Sequence, residues 1–425
     1  MSTVMTSRES SRRSPDGAAA FFSEDELLQT RKAVEQARHL PGHYYTSPEI
    51  YAMEIEKLFM RDWLVVGRVE EFANPGDYLA TDIVGEPIIV CRNAAGGLSA
   101  FSNICRHRGA AVVPSAVTPV VAPGQTVLGN LPFQEVRLAQ GNAKEFTCPF
   151  HAWVYDLEGR LAATSRPRGL PQFKPSECRL SPIKVDTWGG FVFINFDDNC
   201  RSLSDYLADD EFQASTAFMR PEDFQLIDRF TFEIECNWKL MPENLVDAYH
   251  VEVIHKKSFA TDGFGDTSLK DVIFTKWGWR KLYPSRSMSP DGEMMFGPAP
   301  WLKDHPLGAA FAYSAFMRPN FNFLVRADML QPWVTYPLGV NRCRVTGYTC
   351  LWKGAEERPA FKEKVSLLKQ FARNFAGEDV ELLLSTQRGL GSRRFVGGPI
   401  HVQESAIHHR INRYLDAMQG EGDAR

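Results

Sequence analysis

The sequence predicts an α+β protein of two domains: an antiparallel β domain, then a domain of helices laid on an antiparallel sheet. Three observations carry this. Residues 63–195 read as short apolar runs separated by turn signals. From residue 203 onward, helical stripes are grouped with strands long enough to build a sheet. And 425 residues exceed one ordinary domain, since chains divide at about 150 residues per domain.

The elements follow in order. Residues 1–22 are rich in Arg and Ser but have no apolar run of the secretory type, and Glu9 and Asp16 argue against a transit peptide, so they read as a loose tail. Ser23 and Glu26 form a capping-box pattern that predicts a helix to about Arg38. A second helix is predicted over 48–60, with Ile50, Met53, Ile55 and Leu58 as its apolar stripe. Residues 23–62 are thus N-terminal helices expected to pack on the second domain. In the first domain, 63–195, Asn74-Pro75-Gly76-Asp77 is a turn, 87–91 a strand, 93–97 its turn, 98–101 the returning strand, and 188–195 the closing strand. In the second domain, 196–418, a helix is expected over 237–250, strands over 321–329, 333–336 and 342–352, and helices over 358–376, 378–384 and 404–418. The last carries Ile407, Ile411, Tyr414 and Met418 on one face. Residues 419–425 are a polar tail.

Composition excludes several classes. Apolar residues at 44% and charged residues at 24% are ordinary for a globular chain and exclude pervasive disorder. A formal net charge of -4 supplies no basic footprint for nucleic acid. No stretch approaches the roughly 18 apolar residues of a membrane span. Eight cysteines in 425 residues are too sparse for a disulfide scaffold. A reducing, cytoplasmic compartment is therefore the expectation. What remains is whether cysteines and histidines gather into metal sites, which spacing decides.

Two segments each pair a cysteine with a histidine: Cys105-x-His107, in CRHRG, and Cys148-x-x-His151, in CPFHAW. Gly109 and Pro149 suit tight turns that aim side chains at a common centre. A zinc finger places both cysteines on one hairpin and both histidines on a following helix. Here each turn supplies one of each, which suits a cluster whose one iron takes two thiolates and whose other takes two imidazoles. One Cys-x-His pair alone is common by chance; the second pair changes the odds. The cysteines at 91, 178, 200, 236, 343 and 350 lack comparable spacing and read as packed hydrophobes.

A second group lies in NWKLMPENLVDAYHVEVIH, residues 237–255. Asp247 and His250 share a face if the segment is helical. His255 comes back beside His250 if the helix loosens near 251–254. Two histidines and a carboxylate with open positions left over suit a non-haem iron that must admit O₂. His-x4-His alone is weak, and a core histidine beside a surface one is the commoner meaning. The third ligand is expected from elsewhere. Glu378-Asp379, expected to open a helix, is as well suited to ordinary helix capping as to ligation.

With these motifs the sequence resembles the large (α) subunit of the Rieske non-haem iron oxygenases, the family of aromatic ring-hydroxylating dioxygenases and related monooxygenases. Further support comes from 45–67, NPGDY at 74–78, WGGFVFIN at 188–195 and EDVELLLSTQRGL at 378–390, and the similarity spans about 40–418. The resemblance implies a Rieske [2Fe-2S] domain and a helix-grip-like catalytic domain. It implies that Cys105 and Cys148 bind one cluster iron and His107 and His151 the other. His250, His255 and Asp379, with Glu378 as the fallback, match the ligands of a mononuclear Fe(II). Asp247 matches an acid that joins a Rieske histidine of one subunit to an iron-binding histidine of its neighbour around a homotrimer, and Asn244 matches a position beside the iron ligands. Three departures stand out. Residues 108–147 separate the two cluster motifs, about twice the usual length, and this insertion is expected to be a surface loop on the cluster domain, extending over the cluster rim or a neighbouring subunit. Ala152 stands where glycine is usual. The segment around Glu378-Asp379 is less typical.

The resemblance further implies that NADH-derived electrons enter through a separate reductase, a ferredoxin, or both. Gly389-Leu390-Gly391 is no dinucleotide fingerprint. The implied function is the terminal oxygenase of such a system, hydroxylating an aromatic substrate, aromatic acids included, with room for a small β subunit. Phe230, Phe232, Trp277, Trp279, Phe311, Phe316, Phe321 and Phe323 are candidate pocket aromatics, though core packing accounts for most. Arg280, Arg318 or Arg326 could hold a substrate carboxylate. The alternatives are a monooxygenase that dealkylates at N or O or hydroxylates a non-aromatic molecule, a Rieske electron carrier without oxygenase activity, and a zinc-binding interaction protein.

Overall fold

The computed structural model describes residues 24–120, 131–166, 173–208, 212–256, 258, 272–274, 279–284, 287–306 and 311–420. Two antiparallel sheets face one another. The first has seven strands in the order Leu64–Arg68, Phe191–Asn195, Pro182–Trp188, Leu98–Ser102, Glu86–Arg92, Asp77–Ile83 and Ala139–Asn142. A small sheet of Leu161–Ala163, Val154–Tyr155 and Phe146–Thr147 accompanies it. The second large sheet has ten strands, centred on Phe224–Ile234 paired along its length with Arg342–Trp352.

The apolar run of Phe191–Asn195 has every residue buried. One face of that strand packs on its own sheet's core. The other meets the second domain, with Phe191 5.3 Å from Phe321 and Phe193 6.1 Å from it. Phe230, Phe232, Phe311, Phe316, Phe321 and Phe323 all lie in this shared core rather than on an open pocket wall. Arg68 is fully buried at the junction, donating to Gly189 O and Phe224 O and lying over the Phe191 ring. A Cβ at Gly190, whose φ is +80°, would sit 2.4 Å from that guanidinium, so only glycine fits.

The N-terminal helix Glu24–Arg31 packs on Ser405–Gln419 of the second domain, and Pro48–Glu54 is tied to that domain through Glu54. Glu54 accepts from Lys239 Nζ (2.5 Å), Trp238 Nε1 (2.7 Å) and Tyr414 Oη (2.7 Å), all buried. The first helix stops at Arg31, short of Arg38, because the chain turns to pair Arg38 with Pro399. Ser23 lies outside the described residues.

Two expectations about helices are corrected. Residues 237–250 do not form one helix: only Leu240–Asn244 is helical there, and the loosening expected near 251–254 falls instead between Asn244 and His250, ahead of a helical turn at Val251–Ile254. Between them the Asp247 side chain accepts from the Tyr249 amide at 2.7 Å, an Asx-type turn that competes with helical hydrogen bonds. Conversely, Phe361–Leu390 is a single 30-residue helix, so Glu378 and Asp379 sit in its middle rather than at a start. Gly377 does not break it, and Leu131 and Pro132 pack closely against that glycine.

The insertion is also corrected. It is not a loop confined to the cluster domain. Strands Thr118–Pro119 and Gln134–Arg137 cross over and extend the edge of the second sheet beyond Phe224–Ile234. No helix among the described residues is long and apolar enough to cross a membrane.

Candidate metal centres

The two Cys/His turns are built alike. The Cys105 amide donates to Ala110 O and the Gly109 amide returns to Cys105 O. In the second turn the Cys148 amide donates to Trp153 O and the Ala152 amide to Cys148 O. The residue four places after each cysteine is left-handed, Gly109 at φ +76° and Ala152 at φ +53°. That explains the pull toward glycine at 152. The departure leaves the turn intact at a cost in backbone strain.

Both cysteines are 2% exposed, while His107 and His151 stand at the rim. The two Nδ1 atoms face one another at 3.1 Å. Trp153 stacks on His107 at 4.9 Å, and Tyr155 Oη lies 3.3 Å from Cys105 Sγ while accepting from the Arg106 amide. Burial raises the Cys148 thiol above its ordinary value; amides of Phe150 and His151 directed at the sulfur oppose this, and the neighbouring Cys105 sulfur adds to it. Partial desolvation, His107 and Arg108 hold His151 below its ordinary value, hence neutral. Two crowded thiols inside and two crowded imidazole nitrogens outside need positive charge between them, a donor set that fits a two-iron cluster.

At the second centre, Asp379 Oδ1 lies 3.0 Å from His255 Nε2 and 3.4 Å from His250 Nε2. Asp379 is 2% exposed and His255 fully buried, and both Asp379 Oδ1 and His255 Nε2 lack a hydrogen-bond partner. Orphaned donors converging on one point fit a metal ion. Asp379 and His255 meet across 124 positions of sequence. A carboxylate lies beside each outward nitrogen, and of the two pairs the Glu378–His255 one is aligned as a hydrogen bond, His250 Nδ1 having no hydrogen-bond partner. Asp247 Oδ2 is 3.1 Å from His250 Nδ1, and Glu378 Oε2 is 2.7 Å from His255 Nδ1. Glu378, the fallback, lies on the far nitrogen of His255 and not at the point where Asp379, His250 and His255 converge, and it accepts from Ser258 Oγ at 2.5 Å. Burial alone would lower the His250 pKa, but the adjoining Asp247 and Asp379 carboxylates raise it to about 9 in the metal-free protein. For Asp379, burial is outweighed by the two histidines and its carboxyl is held low.

Asn244 ends its short helix with Nδ2 buried and without a hydrogen-bond partner. Sequence reasoning missed Phe375, stacked on His255 at 3.7 Å. Its spacing of four from Asp379 on one helix was the available signal. Of the candidate arginines, Arg318 is engaged by Asp62 at 2.7 Å and Arg326 donates to Val325 O. The side chains of Arg280 and Trp279, and all of Trp277, lie outside the described residues.

Comparison with known proteins matches the Rieske [2Fe-2S] domain at residues 62–174 and the ring hydroxylating alpha subunit catalytic domain at 221–420. The carnitine monooxygenase oxygenase subunit of Acinetobacter pittii is 28% identical over 363 residues, covering 84% of this chain and 86% of the relative. The chloroplastic choline monooxygenase of Spinacia oleracea is 29% identical over 390 residues, covering 88% and 77%. Among solved structures, a quaternary ammonium Rieske monooxygenase with gamma-butyrobetaine superposes with a TM-score of 0.69 at 22% identity, covering 92% of this chain and 98% of the other. Naphthalene 1,2-dioxygenase with indole gives 0.71 at 19%, covering 93% and 96%. The chain belongs to the Rieske non-haem iron oxygenases, as an α subunit that carries a Rieske [2Fe-2S] cluster and a mononuclear iron.

Proposed function

We propose that this chain is the oxygenase component of a monooxygenase system whose substrate is a small quaternary ammonium compound. The carrying observation is its likeness to carnitine and choline monooxygenases over 84–88% of its length. This replaces the aromatic substrate expected from the sequence. The fully buried phenylalanines fit that change, since they serve the junction between domains.

In this reading Cys105, Cys148, His107 and His151 hold the cluster, and His250, His255 and Asp379 hold the iron. The iron supplies a site where O₂ is activated with electrons delivered through the cluster from a separate reductase or ferredoxin. The protein's own work is positional. Glu378 fixes the His255 tautomer, Phe375 holds its ring plane, and Asp247 orients His250. No hydrogen bond or ring contact joins His107 or His151 to His250, His255 or Asp247 among the described residues, which favours transfer between subunits, with Asp247 as the link. Both surfaces expose apolar groups: Ile104 and Phe150 beside the cluster, Tyr249, Val253 and Val402 beside the iron site. A homotrimer would bury these.

The test is product formation by purified protein with an electron donor, comparing carnitine, choline and gamma-butyrobetaine with naphthalene and benzoate under ¹⁸O₂. One labelled oxygen atom in a quaternary ammonium product supports the proposal. Dihydroxylation of a ring, with the ammonium compounds inert, overturns it.

A further inference from the structure

We propose that the insertion between the cluster motifs braces the helix that carries Asp379, and so positions this carboxylate between the two histidines; this rests on the ligand reading above. The insertion meets Phe361–Leu390 at two successive turns. Glu135 grips Arg373 with both oxygens, at 2.8 Å each, and Arg373 also donates to Asp228 of the central strand at 2.6 Å. One turn on, Leu131 and Pro132 lie against Gly377, where a Cβ would approach Leu131 Cδ2 to 3.0 Å. Phe133 stacks on Phe232 at 4.2 Å and anchors the segment to the sheet.

The direction of this contact matters. Arg373 and Gly377 are four residues apart and share a face, as do Phe375 and Asp379. Gly377 and Asp379 are two apart, about 200° around the helix. The insertion therefore presses one flank of the helix while the opposite flank meets His250 and His255. Rotation or sliding that pulled Asp379 off the histidines would have to break the Glu135–Arg373 fork or open a gap beside Gly377. A buried guanidinium with a planar, two-pronged partner resists such rotation better than apolar contact does, because its geometry is directional.

The experiment uses the full-length, iron-loaded protein with Glu135→Gln and, as a milder variant, Leu131→Ala. Leu157→Ala, in the cluster domain core, serves as a destabilised control. Loss of mononuclear iron to a chelator is timed against the Rieske visible spectrum, and peroxide released per product is measured. Glu135→Gln and Leu131→Ala are expected to lose mononuclear iron about tenfold faster, the effect of outer-shell changes at metal sites, with an unchanged Rieske spectrum and more peroxide. Adding Gly377→Ala to Leu131→Ala should refill the gap and recover retention, and the Leu157→Ala control should leave retention alone. Unchanged retention in both variants, or loss equal to the control's, overturns the brace. His250→Ala separates the two readings: if it keeps mononuclear iron, the ligand assignment fails, whereas if it loses that iron while the brace variants do not, only the brace fails.

Discussion

Metal loading of the mononuclear site should depend steeply on pH because of one proton. In the metal-free protein His250 is raised to about 9, burial being overcome by Asp247 at 3.1 Å and Asp379 at 3.4 Å. A metal at Nε2 needs the neutral ring, so binding must expel that proton. At pH 7 only about one site in a hundred is neutral, which costs about 2.7 kcal/mol of binding at 1.36 kcal/mol per unit. Apparent affinity should rise about tenfold per pH unit up to about 9 and then level. The stability of the metal-free protein runs the other way. A histidine raised above its unfolded value contributes fully below about 6.5, and the contribution is lost as pH climbs through about 9. Anaerobic titration with Fe(II), or with Co(II) as a stand-in, at half-unit steps from pH 6.5 to 9.5 measures the slope. Asp247→Asn removes one of the charges that raise His250 and should flatten it. An affinity independent of pH between 7 and 9 would refute the reasoning.

Asp247→Asn should also leave three irons per chain and the Rieske spectrum in place while turnover falls by about a hundredfold or more; normal turnover would remove Asp247 from the electron route. Ala152→Gly should relieve a left-handed alanine and stabilise the cluster turn by up to about 1 kcal/mol, read as a raised urea midpoint with unchanged absorbance; a lowered midpoint would show that the strain reading is wrong. Lys239→Met should strip Glu54 of its buried cation and cost about 3–5 kcal/mol in denaturant unfolding. A loss under about 1 kcal/mol would mean that Trp238 and Tyr414 suffice to hold that carboxylate.

Both cysteine–histidine pairs were legible from spacing, because each cluster turn is a local structure closed by its own backbone hydrogen bonds. His250 and His255 were only weakly legible: His-x4-His alone is common, and the loosening expected at 251–254 to bring them together is instead a helical turn that carries them at its two ends. Asp379 had to be found by resemblance. Its partners lie more than a hundred positions away, and nothing local marks a mid-helix acid as a ligand. The break expected between 376 and 378, which put Glu378-Asp379 at a helix start, falls on Gly377, a residue that weakens helices. Here the helix runs through that glycine, with Leu131 and Pro132 of the insertion packed closely against it.

Sequence alone determined the class of protein and brought out the Cys/His pairs as candidate ligands, since turns are encoded by neighbours along the chain. Tertiary structure alone showed that Asp379 faces both histidines while Glu378 stands at the far nitrogen of His255. It also decided that the long insertion joins the second sheet as well as the first. These depend on pairings between distant segments, whose closure is set by burial, sheet register and ion pairing summed over the whole core, and no local pattern records that sum.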